Sequence, residues 1–251
     1  RSSPICVNIV SNSVRPRCRC DLTVGSGMSM TTAISSSVSV GNLLTAMMAG
    51  TPPWDGIDAI FISHMHPDHF SVGEMVKYLE THSEVRLFAP EQAVEAMRKE
   101  AEDVTIFERI ISVPLNRLDT PLTYQEGDLS IDVVRIPHAG WPQRADVSNL
   151  VWRVTMTDGI TVMHLGDADP NDRHFAPHAE HWMVKRTDAA YPPYWFFSMG
   201  DGPQILETRL NTLAATGLHV PKELPQDLFI SGADFFHSPG ETRLIQRVAD
   251  E

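Results

Sequence analysis

Residues 57–70 read IDAIFISHMHPDHF, and the fold follows from how this stretch is understood. Its first part, 57–63, is a short apolar run of the kind that forms a buried strand. Directly after it, His64, His66, Asp68 and His69 place four possible metal ligands within six positions. Imidazole and carboxylate together suit zinc, manganese or iron. In an extended segment, side chains two apart project to the same side, so His64 and His66 can address one ion. Asp68 and His69 follow as the chain turns toward the next helix and can address a second. The competing reading is a polar turn that merely holds histidines. The density of the cluster argues against it, because four titratable groups at a strand end are costly to bury without ligation.

Outward from this cluster, strands and helices alternate. Val72, Met75, Val76 and Leu79 recur at helical spacing. VRLFA at 85–89 is strand-like, and Pro90 stands where a first helical turn tolerates proline, ahead of EQAVEAMRKEAED. Residues 129–136 form a strand leading to Pro137 and His138. Segments 150–156 and 160–165 flank Asp158-Gly159, a hairpin signal. Residues 203–216 are expected to be helical. The alternation points to an α/β sandwich. Upstream, 11–42 is first basic and turn-prone, then rich in Ser and Thr, and its alternating Val and Ile suggest edge strands within 1–50. No internal repeat or linker stands out, so one domain over 1–251 is expected.

The bulk properties narrow the function. No apolar run approaches the length of a bilayer span, which argues against a membrane-spanning chain. With 32 acidic against 20 basic residues, the net charge of −12 repels phosphate backbones and argues against a dedicated nucleic-acid binder. A small-molecule substrate is the expected partner. Cys6, Cys18 and Cys20 are odd in number and lie near the N-terminus, so they cannot staple the rest of the chain. The C-x-C at 18–20 falls short of the four ligands normal for structural zinc, and the thiols read as incidental. The first residue is Arg1 rather than Met, which suggests removal or trimming of the start. The compartment stays open between cytoplasmic and, with a cleaved leader, periplasmic or secreted.

The H-x-H-x-D-H string at 64–69 resembles the metallo-β-lactamase superfamily, whose fold is a four-layer αβ/βα sandwich with a dinuclear metal site along one edge. The resemblance implies that His64 and His66 bind a first divalent ion and that Asp68 and His69 bind a second. Zinc is the expected metal, with Mn2+ or Fe2+ as alternatives. It also implies three later ligands. His138, in IPHAG, stands at a strand end where the family has its third first-metal histidine. Asp167, in HLGDADP, stands where the family's Gly-Asp supplies a carboxylate bridging both ions. His219, in GLHVP, is favoured as the closing second-metal ligand, and His237, in FFHSPGE, is the competitor. Asp169 reads as a solvated turn acid, and His174, His178 and His181 as surface residues. The likeness covers roughly 55–240; the early strand with an aspartate–glycine turn seen in relatives has no counterpart legible here.

By the same resemblance, two ions at this spacing lower the pKa of a shared water and stabilise a developing oxyanion. Asp68 would orient the nucleophile and handle its proton, and Ser63 would fix the orientation of a ligand. The expected reaction is hydrolysis of a small ester, lactone, amide or phosphodiester. The pattern is closest to the branch with ascorbate-phosphate lactonases and N-acylphosphatidylethanolamine phospholipases. Trp141, Tyr194 and Trp195, with Tyr191 nearby in sequence, suggest an aromatic wall for the substrate; core packing is the competing role of each. Two alternatives remain. An RNA-processing nuclease on the same fold is opposed by the acidic charge. A non-catalytic metal-binding module is opposed by the open coordination expected between two such ions.

Overall fold

The computed structural model describes residues 40–51, 54–221, 223–236 and 245. Most of the segment expected to form N-terminal strands lies outside them, as do Cys6, Cys18, Cys20 and His237. Where that segment enters the described chain it is helical, as α1 (Val40–Met48). This corrects the expectation of strands up to residue 50. Leu44, Met47 and Met48 recur at helical spacing, and Met47 is buried.

Two compact units divide the chain, the first running to Pro114 and the second from Leu115 to Phe236. In the first, β1 (Ala59–Phe61), α2 (Val72–Thr81), β2 (Arg86–Pro90), α3 (Glu91–Arg98) and β3 (Ile110–Val113) follow in turn. The strands lie in the order β1-β2-β3, all parallel. Phe61 faces Phe88, their rings stacked at 5.2 Å. The strand expected over 57–63 pairs over only three residues, and this has a local cause. Ile62 N–H still donates to Phe88 O at 2.9 Å, but the next donor in a parallel ladder would come from residue 90. Pro90 has no N–H, so the ladder stops and the chain is released into the histidine cluster.

Helix α2 buries Met75, Val76, Tyr78 and Leu79. Arg109 closes its C-terminal end, donating to the carbonyls of Leu79, His82 and Val85 at 2.7, 3.0 and 2.9 Å. Carbonyls that a helix end leaves without intrahelical donors are thus met by a cation, the sign the helix dipole favours there. Helix α3 carries Glu91 in its first turn and Arg98 in its last, again the favoured signs, and buries Ala93, Val94 and Met97.

The second unit holds β4 (Leu122–Glu126), β5 (Leu129–Arg135), β6 (Leu150–Thr155), β7 (Thr161–His164), α4 (Ala179–Met183), β8 (Ala189–Tyr191), α5 (Gly202–Thr208), β9 (Thr216–Gly217), α6 (Gln226–Ser231) and β10 (Asp234–Phe235). Its main sheet runs β4-β5-β6-β7-β8, antiparallel up to β7 and parallel between β7 and β8. The β6–β7 hairpin turns at Asp158-Gly159, with Gly159 at φ 85° and Ile160 N–H donating to Asp158 Oδ1 at 3.1 Å. The helix expected over 203–216 ends at Thr208. Asn211 turns the chain at φ 46°, and Leu213 N–H then donates to Thr187 O at 2.9 Å. Ala190 N–H donates to Ala214 O at 2.8 Å, so the backbone beyond α5 is extended beside β8 rather than helical. Among the described residues, no helix is long and apolar enough to cross a membrane.

Candidate metal centre

In the first unit, the chain leaving β1 carries Ser63 and His64 in buried positions, then the half-buried His66 and Asp68 and the buried His69. Amides of His69 and Phe70 both donate to His66 O at 2.9 Å, turning the backbone tightly. That turn gathers the side chains. The rings of His64 and His66 stand 4.8 Å apart edge to face, and those of His64 and His69 stand 4.1 Å apart. Ligand atoms of Asp68 and His69 lie within 4.8 Å of each other. Ser63 Oγ is 3.1 Å from His64 Nδ1. With Nδ1–H donating to this hydroxyl, Nε2 keeps the lone pair that a metal needs.

In the second unit, two chain ends present His138 and Asp167. His138 forms an isolated bridge with Ala168, Ala139 N–H donates to Asp167 O at 2.7 Å, and Asp169 N–H donates to Pro137 O at 2.8 Å. Gly166, at φ 57°, makes the turn out of β7 in a conformation that suits glycine. His219 arrives from further along, carried by Leu218, whose amide donates to Pro192 O and whose carbonyl accepts from Tyr194 N–H, both at 2.8 Å. Its own backbone lies at φ 57°, an uncommon conformation for a residue with a side chain.

The electrostatics of this group are specific. His138 Nδ1 lies 2.7 Å from Ala139 O, and a carbonyl can only accept, so Nδ1 carries the proton. In the neutral ring, Nε2 then bears a lone pair, and it faces Asp167 Oδ2 at 3.4 Å. The same oxygen is 3.5 Å from His219 Nε2. Both distances exceed an ordinary hydrogen bond. They match the separation of about 3.3–3.5 Å between neighbouring ligands that each bind one tetrahedral ion at roughly 2.0–2.1 Å. The donor types, imidazole and carboxylate, also fit a divalent ion.

Asn149 escaped the sequence reading. Fully buried, it donates to Ile136 O and Leu165 O at 3.2 and 3.1 Å and accepts from Asp167 N–H at 2.9 Å. It therefore ties together the chain ahead of His138 and the chain carrying Asp167. The only available signal was a polar amide at the head of the apolar run LVWRV.

Two other expectations are corrected. Asp169 is not a solvated turn acid: burial pushes its carboxyl up, against hydrogen bonds from the Trp141 and Gly140 amides. His174 and His178 are not on the surface but buried, and His181 is half-buried. Polar neighbours in sequence misled here, because short 3-10 turns and α4 roll these rings inward. Of the aromatic residues expected to line a pocket, Trp141, Tyr194 and Trp195 are half-buried, whereas Tyr191 is buried in the core. Trp195 donates to Ala168 O at 3.1 Å and stands 5.4 Å from the His219 ring, with Tyr194 5.4 Å beyond. Trp141 instead packs edge to face on His174 at 5.8 Å and lies beneath the Arg117 guanidinium at 5.3 Å.

Residues 40–194, more than half of the chain, match the family described as the beta-lactamase superfamily domain. The chain belongs to the metallo-β-lactamase superfamily. Its α/β architecture is the metallo-β-lactamase fold, shared with YhfI from Bacillus subtilis at 15% identity and a TM-score of 0.50, over 75% of this chain and 77% of that one. Yeast PDE1 is similar at 11% identity and a TM-score of 0.49, covering 78% and 71% of the two chains. An isothiocyanate hydrolase from Delia radicum gut bacteria is similar at 14% identity and 0.44, covering 73% and 66%. The likeness to YhfI, at 15% identity, speaks to fold alone. No curated protein matches the sequence. As a superfamily member with a His/Asp cluster of ligand types, the protein is a metal-dependent hydrolase.

Proposed function

We propose that one metallo-β-lactamase-like domain spans the chain and holds two divalent ions, zinc foremost. In this reading His64, His66 and His138 would hold the first ion, Asp68, His69 and His219 would hold the second, and Asp167 would serve both. The carrying observation is the lone-pair nitrogen of His138 facing Asp167 Oδ2 at 3.4 Å, with His219 Nε2 at 3.5 Å from the same atom. Two acceptors aimed at each other repel unless a proton or a cation stands between them, and the donor types gathered here suit a cation.

When bound, divalent ions supply Lewis acidity, bringing the pKa of water toward neutrality and stabilising a developing oxyanion. The protein's own groups supply the rest. The Ala139 carbonyl fixes the tautomer of His138, and the Ser63 hydroxyl holds the orientation of the His64 ring. Asp68 orients the attacking water and takes up its proton. Trp195, held by Ala168 O, walls the approach to His219, and Tyr194 extends that wall. The substrate is a small ester, lactone, amide or phosphodiester, which is lactonase-like or phosphodiesterase-like chemistry.

Metal analysis coupled to a panel of lactones, phosphodiesters, β-lactams and thioesters tests this reading. Two metal equivalents with chelator-sensitive turnover on one class support it. Protein that binds no divalent ion and turns over nothing on the panel overturns it.

A further inference from the structure

Beside the loop that carries His138, two cations converge on one buried ring. Arg117 Nε lies 3.4 Å from His174 Nδ1, and Arg173 Nε lies 3.3 Å from His174 Nε2. A neutral imidazole accepts at one nitrogen only, so these cannot both be hydrogen bonds. His174 Nε2 is also 3.8 Å from Asp169 Oδ1. Placing the proton on Nε2, toward that carboxylate, leaves Nδ1 to accept from Arg117. Arg173 is then left exposed beside a nitrogen that does not accept from it. Burial and the two arginine charges hold the His174 pKa down to about 4, so the ring does not add a third charge near neutrality.

The Arg117 guanidinium is held but not neutralised. Arg117 is fixed at Nε by His174 and across its plane by the Trp141 ring at 5.3 Å. Among the described residues no carboxylate forms an ion pair with Arg117 or Arg173. The nearest candidates are engaged elsewhere. Asp172 holds Arg209 through two bonds of 2.6 and 2.7 Å, and Asp169 accepts from the Gly140 and Trp141 amides and feels the Arg173 charge without forming an ion pair with it. In a chain of net charge −12, Arg117 without an ion-paired carboxylate, near an Arg173 that meets Asp169 only through its charge, is out of keeping with its surroundings. Planar forks with unused N–H groups are the usual receptors for phosphate and carboxylate.

We propose that Arg117, braced by His174 and Trp141, and the exposed Arg173 beside the same ring form an oxyanion-recognition platform that binds a phosphate or carboxylate group of the substrate. The inference rests on the hydrolytic reading of His138 and Asp167, because Trp141 lies on the loop that follows His138 and Asp169 lies two residues past Asp167. It narrows the substrate class to molecules with an anionic group besides the bond that is cleaved.

The test is calorimetric titration of the full-length metal-loaded protein with phenyl phosphate, benzoate and uncharged benzyl alcohol. The wild type is compared with Arg117→Gln, Arg173→Gln and the double variant, with thermal midpoints recorded throughout. Arg117→Lys, which keeps the charge without the planar fork, gives a second measure if the glutamine variant folds poorly. Loss of a charge-assisted hydrogen bond should weaken binding of the anions by about tenfold or more per arginine. Preference for phenyl phosphate or for benzoate distinguishes the two anion sources. Anion binding that survives chelation and disappears in the double variant supports the platform even if no panel substrate turns over, so the reaction class is judged separately. Unchanged anion affinity in the double variant overturns the proposal, as does equal weakening toward benzyl alcohol. A ten-nucleotide RNA bound more tightly than phenyl phosphate, with steep salt dependence, also overturns it in favour of nucleic acid.

Discussion

His219 places Nε2 at 3.5 Å from Asp167 Oδ2, although the two residues come from different parts of the sequence and His219 must adopt φ 57° to do so. An uncommon backbone conformation that carries an imidazole to a buried carboxylate suits a ligand better than a loop histidine. His219→Ala should therefore lose one metal equivalent, while His237→Ala keeps both. Metal counting on the two purified variants decides, and the reverse pattern would transfer the role to His237.

Ser63→Ala removes the hydroxyl 3.1 Å from His64 Nδ1 and with it the group that holds the ring's orientation. Partners of this kind typically contribute about 10–100-fold to metal affinity. Competition with a chelator of known affinity should show weakening in that range, with the thermal midpoint of the metal-free protein nearly unchanged. Equal affinity would mean that packing alone orients His64.

Asn149→Ala leaves two carbonyls and the Asp167 amide without their buried partner. Unsatisfied buried groups cost about 1–3 kcal/mol each, though relaxation shares some of that cost. A loss of roughly 3 kcal/mol in urea denaturation is expected, accompanied by weaker metal binding because Asp167 loses its backbone anchor. A loss below about 1 kcal/mol would show that water replaces the amide without penalty.

Asp68→Asn keeps shape but removes the carboxylate. Turnover should fall by about 10²–10⁴-fold, the usual contribution of a general base. The fold should persist, since the buried faces of β1 and α2 are untouched. Near-normal turnover after loss of a metal would show that Asp68 is structural and that one ion suffices.

Stability should depend on pH through Asp132. Burial raises its carboxyl pKa, but the hydrogen bond and charge of Lys185, the Thr123 hydroxyl and the Arg153 charge outweigh burial, and the pKa is lowered. Arg153 is itself buried, bonded to Asp132 at 3.2 Å and to the carbonyls of His181, Trp182 and Lys185. A lowered native pKa favours folding when the carboxyl is ionised. The contribution is complete above the unfolded value of about 3.9 and is lost as pH falls through the lower native value. Asp132→Asn should be about 3–5 kcal/mol less stable at neutral pH, the cost of breaking a buried pair. The gap from wild type should close below about pH 4 in urea titrations. A gap constant with pH would assign the effect to packing.

Much of this protein could be read locally. Alternation and helical spacing report on a residue's own backbone, which is why β2, α2, α3 and the β6–β7 hairpin were legible. The clustered donors His64, His66, Asp68 and His69 were legible for the same reason, since a single turn gathers them. Strand pairing, by contrast, is a relation between segments, and periodicity does not encode it. The sequence suggested strand 57–63, but Pro90 on the neighbouring strand set its length. It suggested a helix to residue 216, but the extended partner at Thr187 and Ala190 claimed those backbone groups.

Burial of polar residues was equally beyond local reach. His174 looked solvated among polar neighbours, yet Arg117, 57 positions earlier, meets it in the folded chain. Asn149 carried no motif, and its value appeared only once Ile136, Leu165 and Asp167 were brought within hydrogen-bond range. Neighbouring residues alone were enough to reveal the cluster of possible metal ligands at 64–69 and most of the alternation of strands and helices. Which polar groups are buried together, and that Arg117 meets a histidine and a tryptophan rather than a carboxylate, emerged only in the folded chain, because those depend on contacts between distant segments.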